Sequence, residues 1–159
     1  KRGRTDIKFC FIGTGKLKPD LIKRAQHEKF ENCIFIDPVP KTKLAEYLKG
    51  ADVGMQLLKN VPAFYYGTSP NKFFDYIATG LPVLNNDPGW IAEIVEENSC
   101  GFVVSPHDPA AFADALESAA DDRTELIKMG NNARVLAKKK FDRKHLADKF
   151  VDWIEGAKF

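Results

Sequence analysis

The sequence predicts a doubly wound α/β domain, a Rossmann-like parallel sheet with helices on both faces. Three observations predict it. Short apolar runs of strand length alternate along the chain with amphipathic stretches of eight to fifteen residues. The apolar runs are continuous rather than alternating with polar residues, as expected of strands covered on both sides. Glycine, proline or aspartate marks almost every junction, so each strand stops at a turn and each helix begins at a start signal. Parallel strands joined by helices call for right-handed crossovers.

In chain order, Ile7–Ile12 is the first strand, stopped by Gly13-Thr14-Gly15, and Pro19 opens a helix that runs to His27. Cys33–Ile36 is the second strand and ends in Asp37-Pro38-Val39-Pro40, after which Thr42–Lys49 is helical with Leu44 and Leu48 on one side. Ala51–Leu57 is the third strand. An aromatic-rich loop follows, then a helix from Pro70 to Thr79 and a fourth strand from Pro82 to Asn85. Trp90–Glu97 is helical, Gly101–Val104 is the fifth strand, and Pro109–Ala120, 124–139 and 143–155 are helices. Asp108 and the Asp121-Asp122 pair read as helix caps. Folds of this class bind ligands at the carboxyl ends of their strands, so loops 13–18, 37–41, 58–70 and 85–89 are expected to share one rim.

Composition excludes several classes of function. The chain has 159 residues, enough for one domain with a core of its own. It carries 24 Lys plus Arg against 22 Asp plus Glu, a net charge of +2, so no field points to nucleic acid. The basic runs Lys1-Arg2-Gly3-Arg4 and Lys138-Lys139-Lys140 read as solvated faces. No apolar run approaches the roughly 20 residues of a membrane helix, and no secretory signal pattern is present. Cys10, Cys33 and Cys100 are scattered in apolar stretches and are expected to be buried thiols of a reducing compartment. His27, His107 and His145 have no partner at metal-ligand spacing. No Ser or Cys has a base at the spacing nucleophilic catalysis needs.

Two places carry chemistry. Gly13-Thr14-Gly15 follows a strand, but Lys18 stands where a dinucleotide fingerprint needs a small residue, and Cys10 stands where a phosphate loop needs glycine. A plain strand-to-helix turn and a close approach to ligand explain those glycines equally well. The second place is "GTSPNKFFDYIATGLPVL", residues 67–84. Ser69 is a good cap and Pro70 suits the first helical position, so the amides around 69–72 are expected to point outward, favourable to an anion. Lys72 is misplaced for the helix dipole unless an anion or acid offsets it. Asp75 lies one turn on from Asn71 and Lys72, while Phe73, Phe74, Ile77 and Ala78 are expected to pack. A carboxylate there could accept two hydrogen bonds from a ribose diol, or merely pair with Lys72 on the surface; the residues alone leave both open. Tyr65, Tyr66 and Trp90 could stack on a base or sugar, or be half-buried aromatics.

The stretch "TSPNKFFDYIATGLPVL" resembles the signature of the nucleotide-sugar-binding half of GT-B glycosyltransferases, in particular the retaining family 4 of the group 1 type. The resemblance extends through "FIGTGKLKPDL", "ENCIFIDPVPKTKLAEYLKGADVGMQLL", "GFVVSPHDPAAFADALESAADD" and "MGNNAR" in the expected order. It implies that Asp75 occupies the place of the second acid of the family's pair, which binds the nucleotide ribose. Gly67 stands at the first acid, which usually contacts the donor sugar, and is the main departure. Gly67, Thr68, Ser69 and Pro70 match the loop that meets diphosphate and sugar, and Asn71 is expected to join them in binding the donor. Lys72 and Asp75 are expected to serve the reaction, Lys72 by stabilising the departing diphosphate. Gly13, Thr14 and Gly15 match the glycine turn beside the phosphates, and Val39 the region that brackets the base.

By that resemblance the chain is the donor-binding domain of an enzyme that transfers a sugar, with retention, from a nucleotide diphosphate sugar to a glycan or lipid-linked acceptor in surface polysaccharide or capsule biosynthesis. No cofactor and no metal are expected, and the absence of Asp-x-Asp agrees with that. The expected location is the cytoplasm, including the inner face of the membrane. An N-terminal acceptor domain and a basic pair on the diphosphate would precede Ile7, and without them the domain is expected to bind nucleotide weakly and turn over little. A nucleotide-sugar epimerase-type enzyme and a non-catalytic nucleotide-sugar-binding module are the alternatives.

Overall fold

The computed structural model describes residues 2–157; Lys1, the first residue of the basic run, lies outside them. The chain divides into two compact units, Lys1–Tyr47 and Leu48–Phe159. In the first, β1 (Phe9–Ile12) and β2 (Cys33–Ile36) pair in parallel, Phe9 opposite Cys33 and Ile12 opposite Ile36. The crossover is α1 (Lys18–His27), with Pro19 in its first turn, where the missing N–H costs nothing. Phe11 stacks on Phe35 at 5.1 Å. α2 (Lys41–Lys49) follows. The sequence pointed to strands covered on both faces and to buried thiols. Instead no residue of β1 or β2 is fully buried and Cys10 is exposed, because a two-stranded layer has too little flanking surface to enclose its side chains.

The second unit holds the core. Strands β3 (Gly54–Gln56), β4 (Val83–Asn85) and β5 (Gly101–Val103) form one parallel sheet in that order. Around it run α3 (Asn71–Thr79), α4 (Trp90–Glu97), α5 (Pro109–Asp121), α6 (Arg123–Lys140) and α7 (Arg143–Gly156). Three of these starts are capped: Asp108 accepts from the amides of Ala110 and Ala111, Asp122 from Glu125 and Asp142 from His145, all at 2.9 Å. Lys138, Lys139 and Lys140 form the last turn of α6, where cations complement the dipole.

The apolar stripe of α3 puts Phe73 and Ile77 into a cluster with Val83, Ile91, Val95, Cys100, Ala133 and Leu136. Each large side chain there contributes about 1.5–3 kcal/mol of burial. Ala78 was expected in this stripe but is exposed, since it points past the edge of the face set by Phe73 and Ile77. Gly80, at φ 78°, ends α3, and the Leu81 amide reaches back to the Tyr76 carbonyl at 3.0 Å, a left-handed closure that favours glycine.

Burial pushes the Cys100 thiol up from its ordinary 9.0 to about 11. Its folded value is the higher one, so its stabilising contribution is complete below about pH 9 and is lost as pH rises through about 11. Urea unfolding at about pH 8 and about pH 11 should show the natural protein losing more stability over that window than Cys100→Val.

Candidate functional site

Because β3, β4 and β5 are parallel, the loops 57–70, 86–89 and 104–108 leave the same edge of their sheet, and α3 begins there. Its start departs from the sequence expectation. Pro70, at φ −70° and ψ 119°, is the residue before the first helical turn rather than part of it, and no side chain caps the helix. Ser69 is exposed and gives no capping bond. Pro70 takes an extended ψ rather than a helical one, so the first turn begins at Asn71 and the place of the cap passes from Ser69 to Pro70, which has no side-chain acceptor. The Pro70 carbonyl accepts from Phe73 N at 3.0 Å, leaving the amides of Asn71 and Lys72 without an acceptor among the described residues. They are the helix-terminal donors that favour an anion.

Lys72 stands on this turn, half-buried, and its ammonium donates to the Leu57 carbonyl at 3.4 Å. Among the described residues it forms no ion pair, so the surface pair with Asp75 that the sequence left open is not made. Burial lowers its pKa, the direction expected of a cation short of compensation. Asp75 is half-buried one turn along. Next to it, burial first and the Asp75 charge second raise the pKa of Tyr76.

The loop before α3 is held by contacts the sequence did not announce. Asn86 binds both backbone groups of Leu58, accepting from its N–H at 2.8 Å and donating to its carbonyl at 3.0 Å. Pro62–Phe64 make a single 3₁₀ turn, and the Phe64 carbonyl accepts both the amide and the hydroxyl of Thr68, at 3.2 and 2.7 Å. Trp90 ties the loop to α4 twice, donating its indole N–H to Thr68 O at 2.7 Å and its amide to Tyr65 O at 3.3 Å. Tyr66 donates to Glu93 at 2.7 Å. Tyr65 donates to Asn60, whose amide nitrogen meets His107 Nε2 at 2.6 Å. The aromatics left open between stacking and packing are thus fasteners of the loop. The signal was present in Asn85-Asn86-Asp87, a polar run directly after an apolar strand.

Thr68 and Pro70 are half-buried, while Gly67, Ser69 and Asn71 are exposed beside them. These, with Lys72 and Asp75, form one continuous segment of loop and helix.

In the first unit Gly13 adopts φ 136°, a conformation that favours glycine, while Thr14 and Gly15 are exposed. Lys18, where a dinucleotide loop would have a small residue, closes this turn. Its ammonium donates to the carbonyls of Gly13 and Ile36 at 2.9 Å and to Asp37 Oδ1 at 2.8 Å. The same contact holds the Asp37 carboxyl below its usual range. Val39 lies half-buried in the loop after β2.

The sequence of the "Glycosyl transferases group 1" family matches residues 1–136. The chain is 30% identical over 128 residues to a D-inositol 3-phosphate glycosyltransferase of Corynebacterium kroppenstedtii, an alignment that takes in 76% of this chain and 26% of that protein. It is 23% identical over 142 residues to the amylovoran biosynthesis glycosyltransferase AmsK of Erwinia amylovora, covering 89% of this chain and 35% of the other. Among solved structures, Anabaena Alr3699/HepE in complex with UDP-glucose superposes with a TM-score of 0.79 at 15% identity, over 96% of this chain and 42% of that one. The fold is therefore that of one part of a GT-B glycosyltransferase, and the chain belongs to the group 1 glycosyl transferase family. It spans about a quarter to a third of the length of these curated relatives.

Proposed function

We propose that this chain is the donor-binding domain of a retaining glycosyltransferase of the hexosyltransferase type. A nucleotide diphosphate sugar is its substrate and a second domain of a longer protein is its partner. The observation that carries the reading is the start of α3, whose first turn has two unengaged amides and carries half-buried Lys72, which has no ion pair among the described residues. A diphosphate placed there supplies the charge that Lys72 lacks and accepts the amides of Asn71 and Lys72. Asp75, one turn on, accepts both hydroxyls of the attached ribose. The exposed backbone of Gly67 and Ser69 faces the sugar, with no acid at position 67 to bind it. The roles of Gly13, Thr14, Gly15 and Val39 rest on the sequence resemblance alone.

In the reaction the bond between the anomeric carbon and the diphosphate oxygen breaks, and the acceptor hydroxyl oxygen bonds to that carbon from the same face. The acceptor proton passes to the departing diphosphate. The domain's contribution is electrostatic stabilisation of the leaving group. No nucleophile is assigned to it. The acceptor class is a glycan or lipid-linked saccharide of surface polysaccharide biosynthesis, at the cytoplasmic side; the amylovoran relative supports this assignment by its name. No helix among the described residues is long and apolar enough to cross a membrane.

Titration with UDP, GDP and ADP tests the donor site. Saturable binding by one of them is expected, weakened about tenfold or more by Asp75→Ala and unchanged by Asp121→Ala, which lies at the end of α5. Equal loss in both variants, or no saturable binding up to millimolar nucleotide, would remove the assignment.

A further inference from the structure

The carboxyl end of β3 and the turn after β4 hold three buried polar atoms without partners among the described residues. Gln56, the last residue of β3, is wholly buried, and neither its amide nitrogen nor its amide oxygen is hydrogen-bonded. Asp87 is 5% exposed, and its Oδ2 likewise has no partner. Asn85 connects the two residues. It stands opposite Gln56 in the strand register, and its own side chain is satisfied by Asp87, donating to the carbonyl at 2.6 Å and accepting from the amide at 3.3 Å. The Asn86 amide extends the ladder to Gln56 O at 3.4 Å. Gln56 shares a sheet face with Gly54, against which the Tyr76 ring of α3 packs. Gln56 therefore lies on the sheet face covered by α3, and Asp87 begins the turn that carries Gly89 and Trp90.

Each buried group of this kind costs on the order of 1–3 kcal/mol when unpaired, and three of them, on Gln56 and, just beyond the Asn85 that pairs with it, on Asp87, are a large fraction of a domain's net stability. What would satisfy them has to accept from an amide N–H, donate to an amide oxygen and bond to a carboxyl oxygen. A cation fails the first requirement, and no group of three His, Cys, Asp or Glu side chains able to hold a metal occurs among the described residues. A sugar hydroxyl fails on access, since Gln56 has no exposed surface. Water, with two donors and two acceptors, meets all three requirements.

We infer that Gln56 and Asp87 form a buried hydration site, in which one ordered water bridges the end of β3 to the β4–α4 turn. The water makes that turn part of the sheet edge, and through Trp90 it bears on the loop that precedes α3. The inference stands whether or not the domain binds nucleotide sugar.

A crystal structure of this chain at a resolution that shows ordered water decides it. The expected result is one density peak about 2.6–3.2 Å from a side-chain atom of each residue. Direct contact between the two side chains, separate main-chain partners for each, or no shared peak would overturn it. A double-variant cycle with Gln56→Leu and Asp87→Leu gives an independent reading. A bridging water makes the two changes coupled, so the double variant's urea midpoint lies above the sum of the single shifts; additive shifts would count against the bridge. Should a variant not fold, the structure of the natural chain is sufficient.

Discussion

Gly89→Ala is expected to unfold or loosen this domain more than any other single-methyl addition in the loop region. A Cβ at position 89 would lie 1.9 Å from the Tyr65 carbonyl oxygen and 2.4 Å from its carbon. Neither atom is the free end of a side chain, so relief requires the backbone of one loop to move. Moving it breaks the bond from Trp90 N to Tyr65 O, and with it the anchoring of Thr68 by the Trp90 indole. The conformation itself is not the obstacle, since φ at Gly89 is −88°, which alanine adopts readily. The effect is therefore steric and local, of the overpacking kind, with an expected loss of about 3 kcal/mol or more. Gly156→Ala, where nothing lies within 4 Å, is the control and should change stability by about 0.5 kcal/mol or less. Urea unfolding of the three proteins checks it. Equal midpoints for the natural chain and Gly89→Ala would show that the two loops do not meet as described.

Lys72→Met should separate binding from stability in opposite directions. The substitution keeps an unbranched chain of similar length and removes the charge. In the free protein Lys72 is half-buried and, among the described residues, its ammonium has the Leu57 carbonyl at 3.4 Å as its one hydrogen-bond partner, so its loss relieves a desolvation cost and stability holds or rises. With a diphosphate bound, the same charge is compensated, so its removal should weaken nucleotide binding by about ten- to a hundredfold, the range of a charge-assisted contact. Unfolding midpoints and a nucleotide titration on the same preparation read both. Unchanged affinity would detach Lys72 from the anion and leave it a lysine that shields the end of β3. A fall in stability together with affinity would make its role a structural one.

Much of the fold was legible in the residues because its causes are local. Pro19, Asp108, Asp122 and Gly80 act through their own backbone or the next turn, and each marks a helix end where the structure has one. The apolar runs 81–84 and 101–104 gave strands for the same reason. The segment from Gly67 to Asp75 was equally readable, since helix periodicity places Asn71, Lys72 and Asp75 within one turn of each other.

Contacts between distant residues were not legible. Ser69 looked like the cap, yet Pro70 takes an extended ψ and the helix starts one residue on. Cys10 and Cys33 read like Cys100, but only the last meets helices on the covered side of a three-stranded sheet. Lys18 seemed only to break a glycine motif, and whether it could reach Gly13, Ile36 and Asp37 depended on how β1 and β2 register. By itself the sequence determined the order of elements, the family and the segment that carries the anion-binding chemistry. Tertiary structure alone decided which side chains lost their water and what they met afterwards, as with Lys72, Gln56 and Asp87. Desolvation depends on neighbours brought from elsewhere in the chain, which no local pattern encodes.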